Sequence, residues 1–199
     1  MFDDQMRRAK DRAILPLAHF FGQWPPWLFS LLGLGMGVAA AVALWQQQYL
    51  LGLVFWFFSR LFDGLDGVIA RQQGAQSDFG GYLDILLDFV TYAIIPIGLV
   101  LGRPSTAGYL ALIFLLTSFY VNAASWMYLA AILEKRAAAR ADRLTSVTMP
   151  AGIIGGTETI ILYAVFIIFP DYLVWLFCGM ALLVTVTILQ RLLWARRHL

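Results

Sequence analysis

Residues 49–102 read YLLGLVFWFFSRLFDGLDGVIARQQGAQSDFGGYLDILLDFVTYAIIPIGLVLG, two long apolar runs that nonetheless carry five aspartates and two arginines. About 20 apolar residues suffice to cross a hydrocarbon core of about 30 Å as a helix. Each run is long enough, so the charges within them need an explanation. The rest of the chain points the same way. Its 199 residues are 61% hydrophobic and 13% charged, against about 45–50% and about 25% in soluble domains. Mean hydropathy is +0.76. A water-soluble globule of this composition would expose large apolar patches. The net charge of +2 gives no reason to expect nucleic acid as a partner, and the single Cys178 cannot form an internal disulfide.

Working outward, six apolar segments emerge, at about 25–46, 49–70, 79–102, 107–133, 150–169 and 172–190. In lipid every backbone polar group must be satisfied within its own segment, and these segments are too long for barrel strands. The expected fold is therefore all-α, a polytopic membrane protein of six helices forming a single domain over residues 1–199. Residues 1–24 mix Asp3, Asp4, Arg7, Arg8, Lys10, Asp11 and Arg12 with scattered apolar positions, unlike a signal peptide. They read as an interfacial amphipathic helix with Ile14, Leu15, Leu17, Phe20 and Phe21 turned toward lipid. With six spans, every Lys and Arg except Arg103 falls on one side, which the positive-inside bias makes cytoplasmic, together with both termini.

The second, third and fifth segments break the apolar plan with Arg60, Asp63 and Asp66, with Asp84 and Asp88, and with Glu158. Carboxylates in a bilayer are costly and face a cavity or a partner. Asp63 and Asp66 are three apart, and Asp84 and Asp88 four apart, so each pair shares a helix face. The two helices are joined by a loop of about eight residues, which sets both pairs at similar depth near the cytoplasmic surface. Four converging carboxylates would repel unless cations lay between them. Oxygen-only ligands favour Mg²⁺, Mn²⁺ or Ca²⁺ over zinc. Two such ions about 3.5–4 Å apart suit displacement at phosphorus. Gly67 and Gly80 would let a bulky ligand approach the backbone, and Arg71 is a natural phosphate clamp. Arg60 reads as a counter-ion to Asp63 or a snorkelling side chain. Glu158 fits acceptor recognition or a structural hydrogen bond to a neighbouring helix equally. Lys135, Arg136, Arg140 and Arg143 satisfy topology, with an acceptor contact as their alternative role. Gly33, Gly35, Gly37, Gly155 and Gly156 mark close helix contacts, within the chain or in a homodimer.

Asp63, Asp66, Gly67, Ala70, Arg71, Gly80, Asp84 and Asp88 together resemble the eight-position signature of the CDP-alcohol phosphotransferase family, also called CDP-alcohol phosphatidyltransferases. The resemblance implies a metal-dependent transferase that moves a phosphoalcohol group from a CDP-linked lipid, such as CDP-diacylglycerol, to a small hydroxyl acceptor and releases CMP. It implies two divalent cations, Mg²⁺ or Mn²⁺, held by Asp63, Asp66 and Asp84 with Asp88 nearby, and Asp88 as general base. Gly67, Arg71, Ser77 and Gly80 would line the nucleotide site. Pro26, Trp27 and Leu28 would contribute through backbone, because Trp27 stands where relatives carry a polar residue. The residues corresponding to 152–159 hold no arginine, unlike members that use phosphorylated acceptors, so the acceptor stays open. The expected setting is a bacterial inner membrane with the active site on the cytoplasmic face, membrane lipids as surroundings and a homodimer as the oligomer. A prenyltransferase acting on a diphosphate and a cation transporter are the competing readings of the same aspartates.

Overall fold

The structure is a computed structural model and describes residues 15–139 and 152–199. All regular elements among these residues are helical. A short helix α1 covers 15–20. It is followed by α2 (Pro26–Trp45), α3 (Tyr49–Gln73), α4 (Asp78–Gly102), α5 (Thr106–Ala139), α6 (Gly156–Ile168), a 3₁₀ turn at Pro170–Tyr172, and α7 (Leu173–His198). Each of the six expected segments thus contains a helix. Among the described residues, four stretches are long and apolar enough to cross a membrane: Pro26–Trp45, Asp78–Gly102, Thr106–Arg136 and Pro170–His198. Helix α3 has the length but carries Arg60, Asp63, Asp66 and Arg71. Helix α6 has only 13 residues, a rise of about 20 Å against a core of about 30 Å.

The ends of these helices follow from their residues. Pro26 begins α2, where a missing N–H costs nothing. Gly74, at φ 63°, takes the left-handed position that ends α3. The Ser77 hydroxyl accepts from the Gly80 N–H and caps α4. The connection between α3 and α4 is therefore four residues, 74–77, rather than about eight. Glu158 Oε2 accepts from the Gly155 N–H at 3.0 Å, which satisfies the N-cap donor of α6. This bond stays within the start of α6 and does not reach a neighbouring helix as expected of Glu158. Helix α5 continues through Ala139, so Lys135 and Arg136 lie on its last turns and not in a connecting loop, while Arg140 and Arg143 lie outside the described residues.

Contacts between connections show that helices α2 to α7 run alternately up and down. At one end Gln47 Nε2 donates to the Gly102 carbonyl and Arg103 pairs with Asp171. At the other, Gln73 Nε2 donates to the carbonyls of Gly22 and Trp24, and Arg136 donates to those of His198 and Leu199. Helices α2, α3 and α4 pack together, α5 lies along α7, and α6 touches α3, α4 and α7. A core drawn from all six includes Trp56, Leu99, Leu115, Tyr163, Phe166 and Phe177. Between membrane helices such packing gains van der Waals contact rather than escape from water, so small residues that bring backbones close matter most. A Cβ on Gly98 would overlap the Ala41 carbonyl, and one on Gly37 would press on Thr91. Gly33 and Gly37 thus serve contacts within this chain, against α3 and α4. Gly35 and Gly156, also expected at close contacts, have nothing within 4 Å.

Before α2, Leu15, Leu17 and Phe20 are exposed as the amphipathic reading requires. Phe21 corrects it: its ring meets Phe29 edge-on at 5.5 Å, beside the fully buried Ala18. An aromatic one turn from α2 finds a partner within the chain and does not point to lipid. Ile14 and the charged residues before it lie outside the described residues.

Candidate active site

Helices α2, α3 and α4 enclose a small pocket lined by Ser30, Gly33 and Leu34 of α2, Arg60, Asp63 and Asp66 of α3, and Asp84, Leu87 and Thr91 of α4. Spacing explains the α3 contribution. Arg60, Asp63 and Asp66 recur every three residues and so climb one face. Gly33 opens the space, since a Cβ there would lie 3.3 Å from the Ser59 carbonyl of α3. Asp66 is nearly buried and accepts a 2.6 Å hydrogen bond from Ser30 Oγ. Hydrogen bonds to a charged acceptor are short and strong, so this one ties α2 to α3 at the level of the carboxylates.

The fourth aspartate is held differently. Asp88 Oδ1 lies 2.6 Å from Arg60 Nη1, and the same nitrogen is 3.7 Å from Asp63 Oδ1. The Arg60 guanidinium sits 5.0 Å from the ring centre of Trp56 and 5.3 Å from that of Tyr92. The expected Arg60–Asp63 pairing is present, but the shorter bond reaches across to α4. Asp63, Asp66 and Asp84 line one pocket; Asp88 is not part of its lining and is linked to Asp63 through Arg60. Among the described residues, no group of three His, Cys, Asp or Glu side chains stands ready-made as a metal shell. As a donor set, three carboxylates around one cavity, offset by one guanidinium, suit a hard divalent ion.

The remaining expected site residues surround this pocket. Arg71, in the last turn of α3, lies over Gly67, where a Cβ would meet its guanidinium at 3.4 Å. Gly80 and Ser77 are exposed at the start of α4, with Ser77 acting as its cap. At the start of α2, Trp27 is exposed, and Pro26 and Leu28 are half-buried. Sequence reasoning missed three features. Ser30 is the partner of Asp66. Thr91 lines the pocket and uses its own hydroxyl on the Leu87 carbonyl. Arg191 of α7 is buried against α5, where it donates to Asn122 Oδ1 at 2.9 Å and lies 3.5 Å from Ser125 Oγ. The Ser30–Asp66 and Arg191–Asn122 contacts join residues 36 and 69 apart in sequence, and no spacing rule announces them.

An all-helical membrane protein with an acidic pocket between its first three long helices is the class that fold and site define. Residues 24–190 match the CDP-alcohol phosphatidyltransferase family, and the chain belongs to it. It is accordingly an integral membrane enzyme, a transferase of phospholipid biosynthesis. The chain is 37% identical over 144 residues to the inner membrane protein YnjF of Escherichia coli strain K12, covering 72% of this chain and 69% of that one. Its fold is shared with phosphatidylinositol phosphate synthase (PgsA1) of Mycobacterium tuberculosis. The crystal structure of that enzyme with CDP-DAG bound aligns with TM-score 0.67 at 24% identity, over 91% of this chain and 92% of that one. The structure of the same enzyme with manganese and citrate gives TM-score 0.67 at 23% identity, over 90% and 87%.

Proposed function

We propose that this enzyme transfers a phosphatidyl group from CDP-diacylglycerol to a small hydroxyl acceptor and releases CMP, at the cytoplasmic face of a six-span bundle. In this reading Asp63, Asp66 and Asp84 hold two divalent cations, Mg²⁺ or Mn²⁺, with Asp88 beside them. Bound there, the cations neutralise the diphosphate of the donor and the charge that develops on the departing CMP. Asp88 takes the proton of the acceptor hydroxyl as it attacks phosphorus, which contributes about 10²–10⁴-fold. Arg71 steadies a phosphate from the end of α3. Gly67, Gly80, Ser77 and the backbone at Pro26, Trp27 and Leu28 border the nucleotide.

The observation that carries the reading is the convergence of Asp63, Asp66 and Asp84 on one pocket, with Asp88 linked to them by Arg60. Further support comes from the CDP-DAG and the manganese in the two structures of the mycobacterial synthase. The short α6 is compatible with a sixth crossing if the adjoining residues 152–155, which dock on Thr187 through the Ile154 N–H, complete its passage. A homodimer remains part of the proposal through family resemblance alone, since Gly33 and Gly37 are used within the chain.

The test is incubation of purified protein in detergent with CDP-diacylglycerol, Mg²⁺ or Mn²⁺ and a panel of acceptors: glycerol 3-phosphate, serine, inositol phosphate and choline. CMP and a lipid product are expected with one acceptor, lost on chelation. Asp88→Asn is expected to lose about 10²–10⁴-fold in turnover with its thermal unfolding transition retained. Metal flux into liposomes with no CMP from any CDP-alcohol would overturn the assignment.

A further inference from the structure

Arg60 stands one turn before the first signature aspartate, and the family signature assigns it nothing. Its surroundings fix it unusually firmly for a long cationic side chain. Only 8% of its surface is exposed. Trp56 and Tyr92 present ring faces to the guanidinium, and Trp56 in turn stacks on the fully buried Tyr163. Nη2 lies 3.3 Å from Ser59 Oγ, whose own proton goes to the Gly33 carbonyl. The rotamer entropy that makes most arginine ion pairs weak is already removed by this packing. The one strong bond left to the guanidinium goes to Asp88 Oδ1 at 2.6 Å, with Asp63 Oδ1 at 3.7 Å.

Resting on the phosphatidyltransferase reading, we propose that Arg60 is the positioning residue of the site: it fixes Asp88 by one oxygen and competes with divalent cations for the charge of Asp63 and Asp88. The bond to Oδ1 leaves Oδ2 as the uncommitted oxygen, so a rigid cation on α3 decides which way a carboxylate on α4 can act. The same cation bridges Asp63 and Asp88 when no metal is present and lowers their affinity for metal when it arrives. These two consequences have opposite signs. Removing Arg60 tightens metal binding while slowing turnover, which a residue that merely supports the fold does not do.

The experiment uses full-length protein in detergent and two variants, Arg60→Gln and Arg60→Lys, with Mn²⁺ binding followed by its electron paramagnetic resonance signal. Arg60→Gln is expected to bind Mn²⁺ about tenfold more tightly, as a cation within a few ångströms of the ligands is gone. Its kcat is expected to fall about 10- to 100-fold, with KM for CDP-diacylglycerol within about twofold of the parent. Arg60→Lys keeps the charge but not the planar fork or the ring stacking. It is expected to bind Mn²⁺ like the parent and to recover part of the lost kcat. Unchanged or weaker Mn²⁺ binding in Arg60→Gln overturns the proposal, as does an unaltered kcat. Should Arg60→Gln not fold, Arg60→Lys decides: lower kcat with parental Mn²⁺ binding supports the proposal, and parental kcat overturns it. If the parent releases no CMP while Arg60→Gln still binds Mn²⁺ more tightly, the assigned reaction fails and the charge competition at Arg60 stands.

Discussion

Arg60 and Arg191 are both nearly buried arginines on long helices, yet their surroundings have little in common. Arg60 lies between two aromatic rings and reaches two carboxylates. Arg191 meets an amide and a hydroxyl, Asn122 and Ser125 of α5, and among the described residues no carboxylate pairs with it. Both leave a buried Nε without a partner. The difference lies in charge balance. Around Arg60, two carboxylates, Asp63 and Asp88, face one guanidinium, and Asp66 and Asp84 line the same pocket. Around Arg191 nothing is left for a cation to neutralise. A buried charge by itself therefore does not mark a metal site; the sign of what surrounds it does.

Replacing each arginine by methionine breaks the comparison most sharply. Arg60→Met removes this cation from the half-buried Asp63 and Asp88, and loss of a charge-assisted bond there is expected to cost about 2 kcal/mol. Arg191→Met removes a desolvated cation and leaves only neutral groups, so the expected change is within about 1 kcal/mol. Thermal unfolding in detergent, followed by tryptophan fluorescence in metal-free buffer, checks both. Mn²⁺ should recover part of the loss in Arg60→Met by mass action on the folded state and leave Arg191→Met unmoved.

Supplying the missing charge sharpens it next. Asn122→Asp gives Arg191 a carboxylate in place of an amide whose oxygen already lies 2.9 Å away. Charge-assisted hydrogen bonds exceed neutral ones, so a gain of about 1 kcal/mol in the same unfolding measurement is expected. A loss would mean that the neutral pocket of Arg191 is better matched to its shape than to its charge.

How these two arginines could be read beforehand differs as well. Apolar runs and their breaks expose the helices, because a bilayer demands long uninterrupted segments. The periodic Asp63, Asp66, Asp84 and Asp88 expose the site, because spacing within one helix fixes which face each side chain occupies. Arg60 was visible as a neighbour of Asp63 for that reason, whereas its bond to Asp88 was not. That bond depends on how α3 and α4 are placed on either side of α2, where Gly98 of α4 lets that helix approach the Ala41 backbone of α2. Ser30 and Asp66, 36 residues apart, escape for the same cause. Arg191 reads from sequence as one of several cations flanking the last span. Its burial comes from the packing of α7 on α5, and no local pattern carries that. The length of α6 was overestimated because residues 152–155 are apolar or small and differ from a helix only in docking on α7 through Thr187.

The smallest effect concerns what holds Arg60 in place. Tyr92 offers it two contacts, a ring face with its centre 5.3 Å away and a hydroxyl 3.5 Å from Nη1. The ring face is the stronger of the two, since a cation over an aromatic ring gains about 0.5–2 kcal/mol and a hydrogen bond at the distance limit gains little. The backbone also depends on the position and not the hydroxyl: Tyr163 donates to the Tyr92 carbonyl at 2.6 Å. Tyr92→Phe keeps the ring and that carbonyl, so stability should change by less than about 0.5 kcal/mol, and Mn²⁺ affinity and turnover should match the parent. Tyr92→Leu removes the ring face while the carbonyl stays, and about 1 kcal/mol should then be lost along with part of the turnover. Equal losses in the two variants would mean that the hydroxyl, not the aromatic clamp, holds the guanidinium against Asp88.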